Sequence, residues 1–198
     1  MKGTVRGQIR LLGLLAAALF IGLVTPVNAN EEQEILVRNG LKMFRTILTA
    51  DQDIEHKHNE DNGIDIIFIY TDNLSRAQHL ARKFVLMGRG ATKGKIKDRP
   101  ISVHITTSLT QIRQQQLRPA GLFILDKVDN DTLLDAVQYG LEHKIVTYSP
   151  FKGDVEKGVL GGIVIGTRPR PFINNITLQN SDLKIKSFFL KVAELYEP

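Results

Sequence analysis

The chain has 198 residues, a formal net charge of +5 and no cysteine. This length accommodates one domain with a substantial core, or at most two small domains. A hydrophobic fraction of 42% and a charged fraction of 24% are ordinary for a globular protein and exclude a disordered or collagen-like chain. The absence of cysteine excludes disulfide frameworks, zinc ribbons and thiol nucleophiles.

The N-terminus has the pattern of a cleaved export signal. Three basic residues and no acidic residue precede an apolar run at 11–24. That run is shorter than the roughly 20 residues that a membrane-spanning helix needs. Small residues then predict cleavage after Ala29, which makes residues 1–29 a signal peptide. We expect an exported protein in a bacterial periplasm, with residues 30–198 as a single domain; the alternative is an uncleaved N-terminal anchor.

Removal of the signal peptide lowers the charge of the chain. Residues 30–198 carry 23 basic and 21 acidic side chains, a net charge of about +2. Nucleic acid is bound mainly through the neutralisation of its phosphates by Lys and Arg. A nearly neutral domain therefore predicts no nucleic-acid partner.

The first half of the domain alternates between helix and strand. Apolar spacing at i, i+4 and i+7 predicts a helix at 31–49, and a mostly charged stretch at 51–63 predicts a loop. A continuous apolar, β-branched run at 64–70 is typical of a strand buried on both faces. Asp72 is placed to cap the helix that follows. Residues 88–98 are rich in Gly and Lys and are expected to be exposed.

The second half continues this alternation and then changes pattern. Strands are predicted at 100–105, 121–125 and 145–148, and helices at 109–117 and from Asp129 or Asp131 onward with Leu133, Leu134, Val137 and Leu141 on one side. The last forty residues predict a hairpin of 162–165 and 172–176 and a closing helix at 187–196. The resulting fold class is α/β, a three-layer αβα sandwich with a mainly parallel, Rossmann-like sheet and a C-terminal antiparallel hairpin.

Motifs for catalysis or cofactor binding are absent from the sequence. Gly88, Gly90 and Gly94 lack the spacing of a phosphate-binding loop, and no G-x-S-x-G or H-E-x-x-H pattern occurs. His56 and His58 are two residues apart in a charged stretch, which suits either a metal site or a solvated loop. The sequence therefore predicts a protein without catalysis, cofactor or metal.

Two surfaces are candidate binding sites. In open α/β sheets the ligand crevice lies beyond the carboxyl ends of the strands, where Asp72, Asp126 and Ser149 fall. These residues predict a small polar ligand pocket, or serve as caps and turns. A second surface, for a protein partner, comprises Arg168 and Arg170 in a Pro-stiffened turn, Phe151 and Lys152 in the loop at 149–158, and the first helix. The alternative for the turn is a solvated hairpin end.

The C-terminal third resembles a known family. The order of a Gly-Gly strand at 161–165, a Phe-containing strand at 172–175 and a Leu-x-Ile-x-Ser-x-x-Leu-Lys-x-Ala segment at 183–193 resembles the closing pattern of the YfiR-like periplasmic family. Upstream, residues 121–125 and 145–149 resemble two earlier strands of that family. The resemblance covers 64–198 loosely and 158–193 more closely.

The resemblance implies a regulator rather than an enzyme. Family members bind the periplasmic part of an inner-membrane diguanylate cyclase, hold it inactive and answer to a partner at the outer membrane. The better-known members carry cysteines, so a homodimer of this chain would form without disulfides. The alternatives from the residues alone are a periplasmic small-ligand carrier and a hydrolase with an unrecognised site.

Overall fold

The computed structural model of the protein describes residues 29–115 and 117–197. All of the predicted signal peptide except Ala29 lies outside these residues. Within the described part of the chain, no helix is both long and apolar enough to span a bilayer.

The described residues form one eight-stranded sheet with helices packed on it. The helices are α1 (Ala29–Ala50), α2 (Leu74–Val85), α3 (Leu109–Gln114), α4 (Asn130–His143), α5 (Asn175–Asn180) and α6 (Ser187–Leu190). The strands are β1 (Ile64–Ile69), β2 (Lys95–Ile96), β3 (Arg99–Thr106), β4 (Gly121–Ile124), β5 (Val146–Tyr148), β6 (Gly161–Ile165), β7 (Pro169–Asn174) and β8 (Glu194–Tyr196). Short 3₁₀ turns lie at Ile54–His56 and Gly90–Thr92.

The order of strands across the sheet is β2-β3-β1-β4-β5-β6-β7-β8. The central strands β3, β1, β4, β5 and β6 run parallel, whereas β2 pairs antiparallel with β3 and β7 pairs antiparallel with β6. Every residue of β1 is buried, as a mostly apolar run predicts for a strand covered on both faces. Its one charged residue, Asp65, accepts from the side-chain amide of Asn59 and lies 3.0 Å from His104 Nε2. The structure therefore confirms the predicted α/β class, its mainly parallel sheet and the C-terminal hairpin.

Neighbouring residues of β5 show which helices cover which face. Tyr148 contacts Phe44 of α1, with ring centroids 5.8 Å apart. Thr147 lies against Gly140 of α4, so closely that a Cβ at Gly140 would fall 2.3 Å from its methyl group. Since successive strand residues point to opposite faces, α1 and α4 lie on opposite sides of the sheet. Contact between Phe44 and Phe84 places α2 on the α1 side.

The largest departure from the predicted fold is at the C-terminus. The predicted closing helix at 187–196 is wrong: α6 ends at Leu190, and Glu194–Tyr196 forms β8, parallel to β7. The apolar spacing of this segment matches a helix, but the open edge of β7 offers unpaired backbone groups. Pairing with that edge overrides the preference of these residues for a helix, as tertiary context commonly does for short segments.

Four smaller predictions are also corrected. The side chain of Asn73, not Asp72, caps α2 by accepting from the backbone N–H of Arg76. Leu134 is 55% exposed and lies outside the buried side of α4. The exposed stretch at 88–98 contains a buried residue, Ile96, because β2 pairs it with β3. The predicted strand at 172–176 ends at Asn174, whose side chain accepts from the N–H of Thr177 and so starts α5.

Candidate functional site

Asp72 and Asp126 come together at the carboxyl ends of β1 and β4. The N–H of Thr71 donates to Asp126 Oδ2 at 3.0 Å, and its hydroxyl lies 3.4 Å from Asp72 Oδ1. Asp72 is exposed, whereas Asp126 is half-buried. Two of the three predicted ligand residues thus meet beside Thr71, at the turn that follows β1 and at the predicted edge of the sheet.

Arg76 fills the space next to this turn. Its Nη1 lies 2.7 Å from Asp126 Oδ1, and its Nε donates to Glu34 of α1. Its side chain is only 20% exposed, and its buried Nη2 has no hydrogen-bond partner among the residues that the structure describes. Arg76 pairs with the carboxylates of Glu34 and Asp126, so it links the start of α1 to the carboxyl end of β4. Asp126 therefore already has a partner within the protein.

Ser149 lies apart from this turn and is buried. Its hydroxyl donates to Asp154 Oδ2 at 2.5 Å and accepts from the N–H of Phe151 at 3.2 Å. Burial raises the pKa of Asp154, against the lowering effects of the Ser149 hydrogen bond and of nearby Lys157 and Lys127. The structure therefore places Ser149 inside the loop at 149–158, as an anchor of its first turn, with Phe151 buried and Lys152 exposed.

The predicted partner residues Arg168 and Arg170 are both exposed, and β7 begins between them at Pro169. Arg170 donates to Glu194 of β8, with Nη2 and Oε2 2.7 Å apart. The side chains of this pair are 59% and 42% exposed, so the pair contributes little stability. The guanidinium remains open to solvent on one side of the hairpin.

A shallow apolar groove lies between α1 and the hairpin, which we call the hairpin groove. Its volume is about 580 Å³. Its lining residues are Met43, Thr46, Pro169, Arg170, Pro171, Phe188, Phe189, Lys191 and Val192. Phe188 is 58% exposed and Val192 60% exposed, although both are large apolar side chains. Ile165 of β6 and Leu195 of β8, the strands on either side of β7, are also exposed.

The part of the outer β7 edge that β8 leaves uncovered, at residues 169–171, is poorly suited to pairing with another strand. The N–H of Asn174 donates to Leu160 on the β6 side. Because donors alternate along an antiparallel strand, the nitrogens of Pro169 and Pro171 point to the opposite, open side. Proline has no N–H, so this stretch offers no backbone donor there. A partner strand therefore cannot form a complete ladder of hydrogen bonds at this part of the edge.

His56 and His58 are exposed, and His58 Nδ1 lies 3.0 Å from the backbone oxygen of Asn59. Across residues 29–115 and 117–197, no group of three or more His, Asp or Glu side chains is arranged to hold a metal ion. The two histidines lie on a solvated turn above the buried side chain of Ile54.

Comparison with known proteins gives the fold but no family. No family model and no curated protein matches the chain. Among solved structures, it is similar to an ABC domain in complex with L-Trp from Streptococcus pneumoniae, at 12% identity and a TM-score of 0.54. It is also similar to a conserved domain protein from Vibrio cholerae, at 10% identity and a TM-score of 0.49. At such identities the likeness to the first shows a shared α/β fold.

The chain matches only part of each of these structures. The matches cover 79% and 81% of this chain, but 61% and 60% of the solved structures. The chain therefore spans less than two thirds of either one.

Sequence reasoning missed two features of these surfaces. The contact of Arg76 with Glu34 joins residues of separate elements, and neither residue type carries a signal for it. The exposure of Phe188 and Val192 was missed as well, since both fall within the predicted closing helix at 187–196. Their exposure could be predicted only if it were known that this segment ends as a strand.

Proposed function

We propose that this chain is a non-catalytic periplasmic binding protein of the YfiR-like type. It controls an inner-membrane signalling protein, such as a diguanylate cyclase, through direct protein contact. The observation that best supports this proposal is the hairpin groove, where exposed Phe188 and Val192 lie beside the guanidinium of Arg170. Such a regulator acts by binding one state of its target more tightly than the other.

The composition of the hairpin groove suits a protein partner. Aromatic residues and arginine are enriched among the side chains that contribute most to protein–protein binding. Phe188 offers an aromatic face, and Arg168 and Arg170 offer forked donors for carboxylates. The prolines of β7 direct the partner to these side chains and away from the backbone. A single groove thus provides an apolar centre with a charged rim.

The proposal is tested by position-specific crosslinking in the native host. A photoreactive phenylalanine analogue replaces Phe188 in the groove and, as the matched control, Gln138 on the exposed side of α4. We expect one inner-membrane protein to be crosslinked from position 188 and not from 138. Arg168→Glu combined with Arg170→Glu is expected to abolish that product.

A second pair of variants separates loss of contact from a general change of charge. Arg118→Glu with Lys127→Glu alters the net charge equally but lies outside the groove, so the crosslink is expected to persist. Identical products from positions 188 and 138, or a product that survives the Arg168 and Arg170 reversal, would rule out the groove as the contact. Absence of any membrane protein among the products would refute the regulatory function.

Small-ligand binding is the second candidate function. It is favoured by the shared turn of Asp72 and Asp126 at the strand ends and by the fold shared with a domain solved with L-Trp. A ligand that binds only the native state raises the melting temperature. For this candidate, millimolar L-tryptophan or another amino acid should raise Tm, and Asp72→Asn should remove the shift. An unchanged Tm across the amino acids would leave this candidate without support.

A further inference from the structure

The basic residues of the chain are concentrated in one segment. Residues 74–99 contain eight Lys or Arg and one acidic residue, Asp98. The rest of the predicted domain, 30–73 and 100–198, contains 15 basic and 20 acidic residues. The nearly neutral net charge therefore conceals a strongly basic segment in an otherwise acidic domain.

The fold gathers this segment against α1. A groove of about 430 Å³ lies between α1 and α2, and its lining residues are Ile35, Arg38, Asn39, Leu41, Lys42, Leu80, Lys83 and Met87. At one end of it, the guanidinium of Arg45 donates to the backbone oxygens of Thr92 and Lys95 and holds the basic loop beside α1. We call this surface the basic face. Its members are Arg38, Lys42, Arg82, Lys83, Arg89, Lys93 and Lys95.

Within the described part of the chain, the charges of the basic face are not neutralised by acidic side chains. Among the described residues, the nearby ion pairs involve Arg76, with Glu34 and Asp126, and Lys97, with Glu55 at 3.4 Å. None of the seven members of the basic face has an acidic side chain within 4.0 Å in that part of the chain. Their combined charge is therefore available to an external anion.

Exposed aliphatic side chains lie among these cations. Leu86 follows α2 directly, before the basic loop, and is 60% exposed. Ile35 borders the groove on α1 and is 48% exposed. Surfaces that rest on a bilayer combine aliphatic side chains at headgroup depth with Lys and Arg, whose long stems let the charge reach the phosphates.

We propose that the basic face docks on the surface of a bilayer that contains anionic phospholipid. The cations are distributed over α1, α2 and the loop and do not converge on one point. This distribution suits a diffuse negative surface better than the fixed carboxylates of an acidic protein. The hairpin groove lies on the other side of α1, through Met43 and Thr46, so this inference does not depend on the proposed function.

Vesicle sedimentation tests the proposal with the full exported chain. The probes are vesicles of equal parts phosphatidylglycerol and phosphatidylcholine, and vesicles of phosphatidylcholine alone. We expect binding to the anionic vesicles only, and binding that weakens as NaCl rises from about 50 to 300 mM because salt screens exposed charges. Equal binding to both compositions, or no binding to the anionic vesicles, would overturn the proposal.

Charge-matched variants locate the binding surface. Lys83→Gln with Lys93→Gln removes two cations from the basic face and should lower vesicle binding about 25-fold, at about fivefold per charge. Lys127→Gln with Lys184→Gln removes two cations outside it and should change binding less than twofold. An equal loss in both double variants would mean that net charge, not this face, governs binding.

One further variant and one further probe distinguish the membrane from an acidic protein. Leu86→Asn retains every charge, and we expect it to weaken vesicle binding severalfold because Leu86 enters the headgroup layer. Poly-L-glutamate, which has charge but no bilayer, serves as the second probe. Tight binding to poly-L-glutamate without binding to anionic vesicles would refute a lipid surface and assign the basic face to an acidic protein.

Discussion

Helix α1 lies between two grooves that are built in different ways. On one side, α1 and α2 enclose a groove whose rim residues Arg38, Lys42 and Lys83 are all cationic. On the other side, α1 meets the hairpin and α6, and the groove is lined by Phe188, Phe189 and the prolines of β7, with Arg170 and Lys191 beside them. The first groove is formed by α1 and α2, which directly precede and follow β1. The second groove is formed by α1 together with β7 and residues 188–192, from the C-terminal part of the chain. One helix thus borders two grooves, the first with aliphatic side chains and three cations and the second with aromatic and proline side chains and two cations.

The largest expected effect comes from removing the side chain that joins the two sides. Phe44 is fully buried and contacts Phe84 of α2 as well as Phe123 and Tyr148 of the sheet. Phe44→Ala is expected to lower the free energy of unfolding by about 3–5 kcal/mol, because a cavity remains in the core. Urea unfolding followed by circular dichroism measures the loss.

The exposed Thr49→Ala on the same helix is the control and should cost less than about 0.5 kcal/mol. In hydrogen exchange, α2 and the hairpin of Phe44→Ala should lose protection together. Loss at α2 alone would mean that the two sides are separate folding units.

The second prediction concerns only the hairpin side. Tyr148 donates its buried hydroxyl to the backbone oxygen of Gly162 at 2.8 Å, which joins β5 to β6. Tyr148→Phe leaves that oxygen without its donor and should cost about 1–2 kcal/mol. Hydrogen exchange should increase more in β6 and β7 than in α2.

Tyr70→Phe is the matched control, since no hydrogen bond of the Tyr70 hydroxyl occurs among the described residues; we expect no measurable change. Equal exchange in α2 and β7 of Tyr148→Phe would contradict a local role for this bond.

The third prediction concerns only the basic side. Burial lowers the pKa of Arg45, yet its guanidinium still holds the backbone of Thr92 and Lys95. Arg45→Met keeps the aliphatic stem but removes these donors, so we expect a loss of about 1 kcal/mol. A Lys-specific protease should then cleave the loop at Lys93 or Lys95 faster. An unchanged cleavage rate would show that the loop is held by other contacts.

The smallest expected effect is a change in pH dependence. Because burial raises the pKa of Asp154 above its ordinary value of 3.8, the folded chain retains this proton where the unfolded chain releases it. The contribution of Asp154 to stability is therefore full at low pH and declines as the pH rises through the raised pKa. Asp154→Asn should remove this decline and add less than about 1 kcal/mol at neutral pH.

The Tm of Asp154→Asn and of the parent protein is measured by thermal unfolding at a series of pH values. The difference in Tm between Asp154→Asn and the parent should grow from pH 4 upward. A difference that is constant with pH would mean that Asp154 does not titrate in this range.

The two sides of α1 also differ in how well the sequence predicted them. The β1–α2 unit followed directly from an apolar run and helical spacing, because burial on both faces leaves a plain pattern. The C-terminal strand β8 could not be predicted in this way, because its three residues form a strand by pairing with β7 and their own apolar spacing favours a helix. The rule that ligands bind at strand ends predicted that Asp72 and Asp126 lie close together, and both contact Thr71. It did not predict that Ser149 is buried, because its hydrogen-bond partner, Asp154, lies in the loop five residues further along.

The packing of α1 also has a consequence for the order of folding. The buried side of α1 lies against β4, β5 and β6, as in the close fit of Phe44 and Leu48 onto Gly121. During synthesis these strands emerge long after the helix, so much of its apolar side lacks its packing partners until β6 has been made. Contacts between distant segments also slow folding. The topology therefore couples the packing of the first helix to strands that are synthesised much later.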